Sequence, residues 1–320
     1  MKKTYQITQE DAGQRLDTWL TAKLPEVSRS RIQKWIKAGL VTINDEAVTP
    51  HEALSLEDTV EVADYDAPKT KEDALLPRPD IGVDVVYEDD DIIVANKPSG
   101  LIVHPAIPGE SNTLVNALIA QFPEIVGIGD DSQRPGIVHR LDREASGLLV
   151  IARTKAAFKN LKAQFQAHVV KKEYAVLIDG YPPADSGTIK LPIGRSASGG
   201  KMAARPIKLN KRSGELEMTP GDRTAITHYR IEEKLPKVTF LTVRTETGRT
   251  HQIRAHFHAL GVPVVGDPLY GANRVGRMNS PRLFLHAKSL SFQHPVTDIE
   301  LSFSAPLPKE LDEVLKKARK

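Results

Sequence analysis

Strand-like segments outnumber helical ones in this chain, and the two do not alternate. Short apolar or alternating runs at residues 83–87, 91–96, 148–152, 173–179, 225–232 and 239–244 have the period and length of strands. Helical spacing occurs at 112–121, 155–167, 250–259 and 308–317. A doubly wound parallel sheet needs a helix between successive strands. The order here instead favours an α+β fold with a mixed, largely antiparallel sheet. At 320 residues the chain is long enough for such a domain and a second, smaller one.

The smaller unit is read at the N-terminus. Leu16, Trp19 and Leu20 set helical spacing over 14–23. Ser28 is placed to cap a second helix over 29–38, and Gly39 to end it. Two short strands suit 40–43 and 59–62. Residues 64–80, DYDAPKTKEDALLPRPD, mix charge and proline with little apolar periodicity, as a linker does. The expected organisation is a small α/β unit at 1–63, a linker at 64–80 and a larger domain at 81–320.

Charge is distributed unevenly. The net +3 conceals 31 Lys and Arg against 17 Asp and Glu in residues 138–320, while everything before residue 138 is net acidic. A polyanion would dock on the basic part, although a solvated basic surface has the same composition. Within the acidic N-terminal unit, Arg29, Arg31, Lys34 and Lys37 cluster on the second helix and could face phosphates. The chain has no cysteine, which excludes disulfides, thiolate catalysis and cysteine-ligated metal. Its start, MKKTYQITQEDAG, lacks the apolar run of a signal peptide, and no stretch approaches the ~20 apolar residues of a membrane span. A soluble, cytoplasmic monomer with no membrane partner is expected.

The densest polar cluster is His139, Arg140, Asp142, Arg143 and Ser146, on a loop before an apolar strand. A carboxylate held among arginines on such a loop is either a nucleophile or base, or one half of a structural Asp–Arg clamp. Kinase and phosphate-loop readings fail. Leu141 separates Arg140 from Asp142, and NKPSG at 96–100 lacks the required glycine spacing. His251, His256 and His258 do not have the spacing of a helical zinc pair, and no neighbouring acid completes a set; no metal and no cofactor are expected.

The segment VHRLDREASGLLV, 138–150, resembles the signature of the RluA/RluD family of RNA pseudouridine synthases. The resemblance continues in order through VYEDDDIIVANKPSGL at 86–101, His104-Pro105, KKEYAVL at 171–177, TGRTHQIRAH at 247–256 and GVPVVGDPLYG at 261–271. RLDTWLTAKLPEVSRSRIQKWIKAGLVTIN, 15–44, resembles the S4-type RNA-binding domain. The resemblance implies an isomerase that converts uridine to pseudouridine in RNA, with large-subunit ribosomal RNA as partner. Carried over by position, it makes Asp142 the essential aspartate, Arg254 its partner and Tyr174 the tyrosine against the target base. Arg140 falls on a side chain that helps displace the target nucleotide; His139 could assist, or could equally be a structural loop residue. The resemblance does not choose between attack of Asp142 on the sugar carbon and removal of a ribose proton to give a glycal, toward which we lean. From other classes, a non-catalytic RNA-binding or ribosome-assembly protein would need no Asp142–Arg254 pair. A hydrolase using Asp142 and His139 would need a positioned serine or a metal. Specificity would lie in surface loops such as 194–212.

Overall fold

The computed structural model describes residues 3–25, 27, 29–63, 75–105, 110–196, 199–209, 216–271 and 278–320. Ser28, most of the expected linker (64–74) and parts of the 194–212 loop lie outside them. The chain divides into two compact units, Met1–Leu75 with Asp130–Pro135, and Leu76–Gly129 with Gly136–Lys320.

The first unit contains β1 (Lys3–Gln6), α1 (Leu16–Lys23), α2 (Arg29–Lys37), β2 (Val41–Ile43), β3 (Glu46–Ala47) and β4 (Thr59–Val62). Its strands form one antiparallel sheet in the order β1-β4-β2-β3. Leu16, Trp19 and Leu20 of α1 meet Ile32 and Ile36 of α2 and Val41 and Val60 of the sheet in a shared core. Gly39 ends α2 with φ +72°, a left-handed position that glycine takes without a Cβ penalty. Asp17 is fully buried between the helices and accepts hydrogen bonds from Arg15, Arg29 and Gln33. Burial would raise its carboxyl, but those three donors overcome it and hold the group well below the usual carboxylate range.

The second unit begins with β5 (Asp84–Glu88), β6 (Ile92–Lys97), α3 (Leu114–Gln121), β7 (Ser146–Ala152), α4 (Lys155–Gln166) and β8 (Lys171–Asp179). Short strands follow: β9 (Ser186–Ile189), β10 (Ile193–Arg195), β11 (Met202–Ala204), β12 (Lys208–Leu209) and β13 (Leu216–Glu217). The chain continues through β14 (Thr227–Lys234), β15 (Val238–Thr245), α5 (Gln252–Ala259), β16 (Leu285–Gln293), β17 (Glu300–Ser304) and α6 (Lys309–Ala318). One sheet runs β5-β6-β7-β16-β8-β15-β14-β9, with β17 also on β16. Every pair is antiparallel except β7 with β16, so the sheet is mixed and largely antiparallel.

Local chemistry sets the helix starts. Thr113 and Thr154 cap α3 and α4 by accepting the backbone N–H groups of Asn116 and Ala157. α6 carries Glu310 and Asp312 in its first turn and Lys316 and Lys317 in its last, matching the helix dipole. All seven residues of β7 are buried, as expected of a strand covered on both faces. Each of its large aliphatic side chains contributes about 1.5–3 kcal/mol by leaving water.

The parallel contact between β7 and β16 positions the site. Gly147 faces Ala287, and Ala287 faces Tyr174 on β8, so three strands are in register beside the loop that ends at β7. Gly147 has φ +116°, and a Cβ there would fall on the Ala287 backbone. Gly147→Ala combines left-handed strain with a backbone collision. It is expected to cost at least ~2 kcal/mol of stability, read from the shift of a urea-unfolding midpoint. A wild-type midpoint would refute the close approach.

Candidate active site

Asp142 lies on the loop that enters β7. Buried Leu141 and Ala145 anchor that loop on either side of it. From across the loop, Gly100 N–H donates to the Arg143 carbonyl at 2.8 Å and Ser99 Oγ to the Glu144 carbonyl at 2.6 Å. Lys97, at the end of β6, is 1% exposed and directs its Nζ to three carbonyls: Pro98 and Leu101 at 2.7 Å and Arg143 at 3.2 Å. Three donors require an ammonium, because a neutral amine has only two N–H bonds. Burial pushes Lys97 down to about 7, with the charge of Arg282 in the same direction and those of Asp142 and Glu144 opposing.

Arg254 reaches Asp142 from the other side. Its side chain is fully buried on α5, with Nε and Nη2 donating to the two Asp267 oxygens at 2.8 and 2.9 Å. Nη1 donates to Asp142 Oδ2 at 3.2 Å and to Glu144 Oε2 at 3.3 Å. The Tyr270 ring lies against the guanidinium, 5.3 Å from its carbon. Burial works against this cation, but the bonds and charges of Asp267 and Asp142 outweigh it and hold Arg254 above its ordinary value. Asp267 also accepts the N–H groups of Leu269 and Tyr270, so it is fixed by backbone as well. A bidentate pair to a rigid acid leaves Nη1 as an aimed donor for Asp142.

Tyr174 points from β8 toward the same place. Burial pushes its phenol up to about 12; a hydrogen bond with Thr245 opposes this and the charge of Asp142 adds to it. The phenol therefore keeps its proton at neutral pH. Arg140 is exposed, and no hydrogen bond or ion pair reaches it among the described residues.

His139 is engaged within the fold. Its Nε2 accepts the Val150 N–H at 3.1 Å and its ring stacks on Phe165, 4.4 Å between centroids. Burial, with the charge of Lys172, pushes it down to about 3. These contacts give it the place of a structural loop residue, one of the two roles open to it from sequence. On α2, Arg29 is engaged by Asp17 and Arg31 lies over the Trp35 ring, while Lys34 and Lys37 are exposed. Of the three histidines near α5, His251 and His258 both meet the Tyr270 ring while His256 is engaged elsewhere. His256 is bonded to Thr227 and Leu191, His258 packs on Tyr270, and His251 stands before the helix rather than in it, at φ 53°. A serine–histidine contact does exist, Ser146 Oγ to His286 Nδ1 at 2.9 Å, but both residues are buried. Arg282 donates to Ser146, and His286 Nε2 faces the Ala305 carbonyl. That pair joins strands and offers a substrate no approach.

Comparison with known proteins decides the class. The RNA pseudouridylate synthase family model matches residues 91–259, slightly more than half of the chain, and the S4 domain model matches residues 14–60. This chain belongs to the RNA pseudouridylate synthase family. An RNA pseudouridine synthase of Synechocystis sp. is 37% identical over 313 residues, 97% of this chain and 90% of the relative. The ribosomal large subunit pseudouridine synthase D of Neisseria meningitidis serogroup A is 38% identical, over 96% of this chain and 79% of that one. Among solved structures, human RNA pseudouridylate synthase domain containing 4 shares the fold, with TM-score 0.57 and 22% identity over 74% of this chain and 93% of that chain. The protein is thus an RNA-binding isomerase, an RNA pseudouridine synthase with an N-terminal S4 domain.

Four residues of this synthase's site were not singled out from sequence. Asp267 and Lys97 sit inside recognised motifs, where a lone acid or lysine carries no sign of its partner. Glu144 was visible only as one more charge beside Asp142. Tyr270 closes on Arg254 through a turn that Asp267 itself caps.

Two outcomes test these contacts. Arg254→Met leaves the Asp267 carboxylate buried without its cation. It is expected to cost about 3–5 kcal/mol in denaturant unfolding, and a loss under 1 kcal/mol would refute the pairing. His139 is ordinarily half-protonated at 6.5 and is held near 3 in the fold, so the unfolded chain takes up its proton first. Stability is then full above pH 6.5 and falls as pH drops toward 3. His139→Gln should flatten this decline by about one proton, ~1.4 kcal/mol per pH unit. An unchanged slope would show that His139 is not buried in its neutral form.

Proposed function

We propose that this synthase isomerises uridines of large-subunit ribosomal RNA, with Asp142 as the essential carboxylate, and works as a cytoplasmic monomer. The observation that carries the site assignment is the Arg254 guanidinium, fully buried and hydrogen-bonded to Asp142 while Asp267 fixes its other edge. The substrate assignment is supported by relatives named for the large ribosomal subunit that align with 96% or more of this chain. Among the described residues no helix is long and apolar enough to cross a membrane.

The reaction breaks the bond between ribose carbon 1 and uracil nitrogen 1, turns the base, and joins the sugar to carbon 5. A proton leaves carbon 5 and nitrogen 1 ends protonated, so water and redox equivalents are not consumed. Asp142 acts on the ribose, either at the sugar carbon or on a ribose proton. Arg254 keeps its carboxylate oriented and offsets the cost of partial burial, 15% side-chain exposure. Tyr174 supplies a ring face for the detached uracil and, with its proton held, a hydroxyl that donates to a uracil carbonyl. The target base must first leave its stack, at a cost of a few kcal/mol. Arg140, exposed and unengaged among the described residues, fills the space left behind. Lys34 and Lys37 contact phosphates through the S4 domain, with Arg29 and Arg31 beside them.

The test is pseudouridine mapping of large-subunit ribosomal RNA transcripts after incubation with the protein. Wild type should convert specific uridines and Asp142→Asn none. Arg140→Ala should lose activity on a base-paired target and keep it on an unstructured one. An active Asp142→Asn protein would refute the site. Absence of any conversion in this RNA, with conversion of another, would refute the substrate.

A further inference from the structure

Lys172 is 8% exposed, yet among the described residues no hydrogen bond or ion pair reaches its ammonium. It lies over the Phe165 ring, 5.4 Å from Nζ to the centroid. Such a contact is worth about 0.5–2 kcal/mol and leaves the N–H donors of the ammonium unused. Burial pushes the group down to about 8, which still leaves it charged at neutral pH. Lys97 shows the contrast: more deeply buried, it has three carbonyls. Lys172 Nζ is not among the described side-chain atoms that are both cut off from solvent and unbonded, so the stem is buried while the ammonium stays open to an anionic group of the substrate.

The position says which substrate group that is. Lys172 and Tyr174 are two residues apart on β8 and so lie on one face, about 6.8 Å apart along the strand. That is the scale separating a base from the phosphates of its own nucleotide. The charge of Lys172 is felt at His139, so the ammonium lies beside the loop that carries Arg140 and Asp142. On another side stands Gly248, where even a Cβ would be 3.9 Å from Nζ, and no side chain covers the ammonium from that position.

We propose that Lys172 binds a phosphodiester adjoining the target uridine, its Nζ donating to a non-bridging oxygen once the base has turned onto Tyr174. The contact fixes the backbone while the base is detached and turned. This inference rests on the assignment of Asp142 and Tyr174 as the site.

The test uses the full-length Asp142→Asn protein, which allows equilibrium binding, and a synthetic RNA stem-loop containing a uridine that wild type converts. Lys172→Met should weaken binding roughly tenfold and lower the slope of log affinity against log salt by about one. Lys172→Arg should restore most of both. An uncharged methylphosphonate on the 5′ or the 3′ side of that uridine should weaken binding to the Lys172 protein and leave the Met variant unaffected. The Met variant should melt no lower than its parent, because it loses a cation with no acceptor. Equal methylphosphonate penalties in both proteins, or none in either, would overturn the proposal. So would a Met variant that binds normally, or one whose binding loss follows a fall in melting temperature. Turnover by the Asp142→Asn parent is a separate failure, that of the site assignment, because the binding comparison reads Lys172 alone.

Discussion

One guanidinium organises the catalytic unit. Arg254 has no exposed surface and faces three carboxylates, two of them through a single nitrogen. Desolvating an arginine costs several kcal/mol, so it can be buried only where partners are already rigid. Asp267 meets that condition, since backbone N–H groups hold it on one side and Arg254 on the other. The asymmetry has a mechanical result. Asp267 determines where Arg254 sits, and Arg254 determines where Asp142 sits. Glu144, on the same Nη1, limits how far Asp142 can draw that nitrogen toward itself.

The opposite wall of the loop is built from backbone. Lys97, Ser99 and Gly100 bind the carbonyls of Arg143 and Glu144, so the residues just after Asp142 are fixed without using any of its own oxygens. Below it, Ser146 is bonded to His286 and Arg282. The carboxylate is thus free for chemistry while its main chain is clamped on two sides. Such division of labour between a supporting shell and a working group is what a step needing sub-ångström placement requires.

Much of this was legible in the sequence. The six strands and four helices read in the larger domain all occur with shifted ends, because apolar period reports which residues face a core. β16 and β17 were not read. Lys288, Ser289 and Ser291 break the alternation of β16, and the bulge at Lys288 changes its phase midway. A strand paired on both sides within a sheet needs no continuous apolar run when its polar side chains find partners, as Lys288 does at Thr242. Asp142, Arg254 and Tyr174 were nameable through ordered motifs, but the Asp267 link was not, since a bond between residues 254 and 267 has no one-dimensional signature. His139 was left between two roles, because its bond to the Val150 N–H and its stacking on Phe165 have no sign in the sequence.

The place of β16 in the sheet has a temporal consequence. β7 and β8 are close in sequence, yet the strand between them is supplied by residues 285–293. As the chain emerges from the ribosome, all four strands of the S4-domain sheet are available once residue 62 is free. The catalytic sheet cannot close between Gly147 and Tyr174 until residues 285–293 have been made. The nascent enzyme therefore carries its RNA-binding module well before the strand that joins β7 to β8 is available.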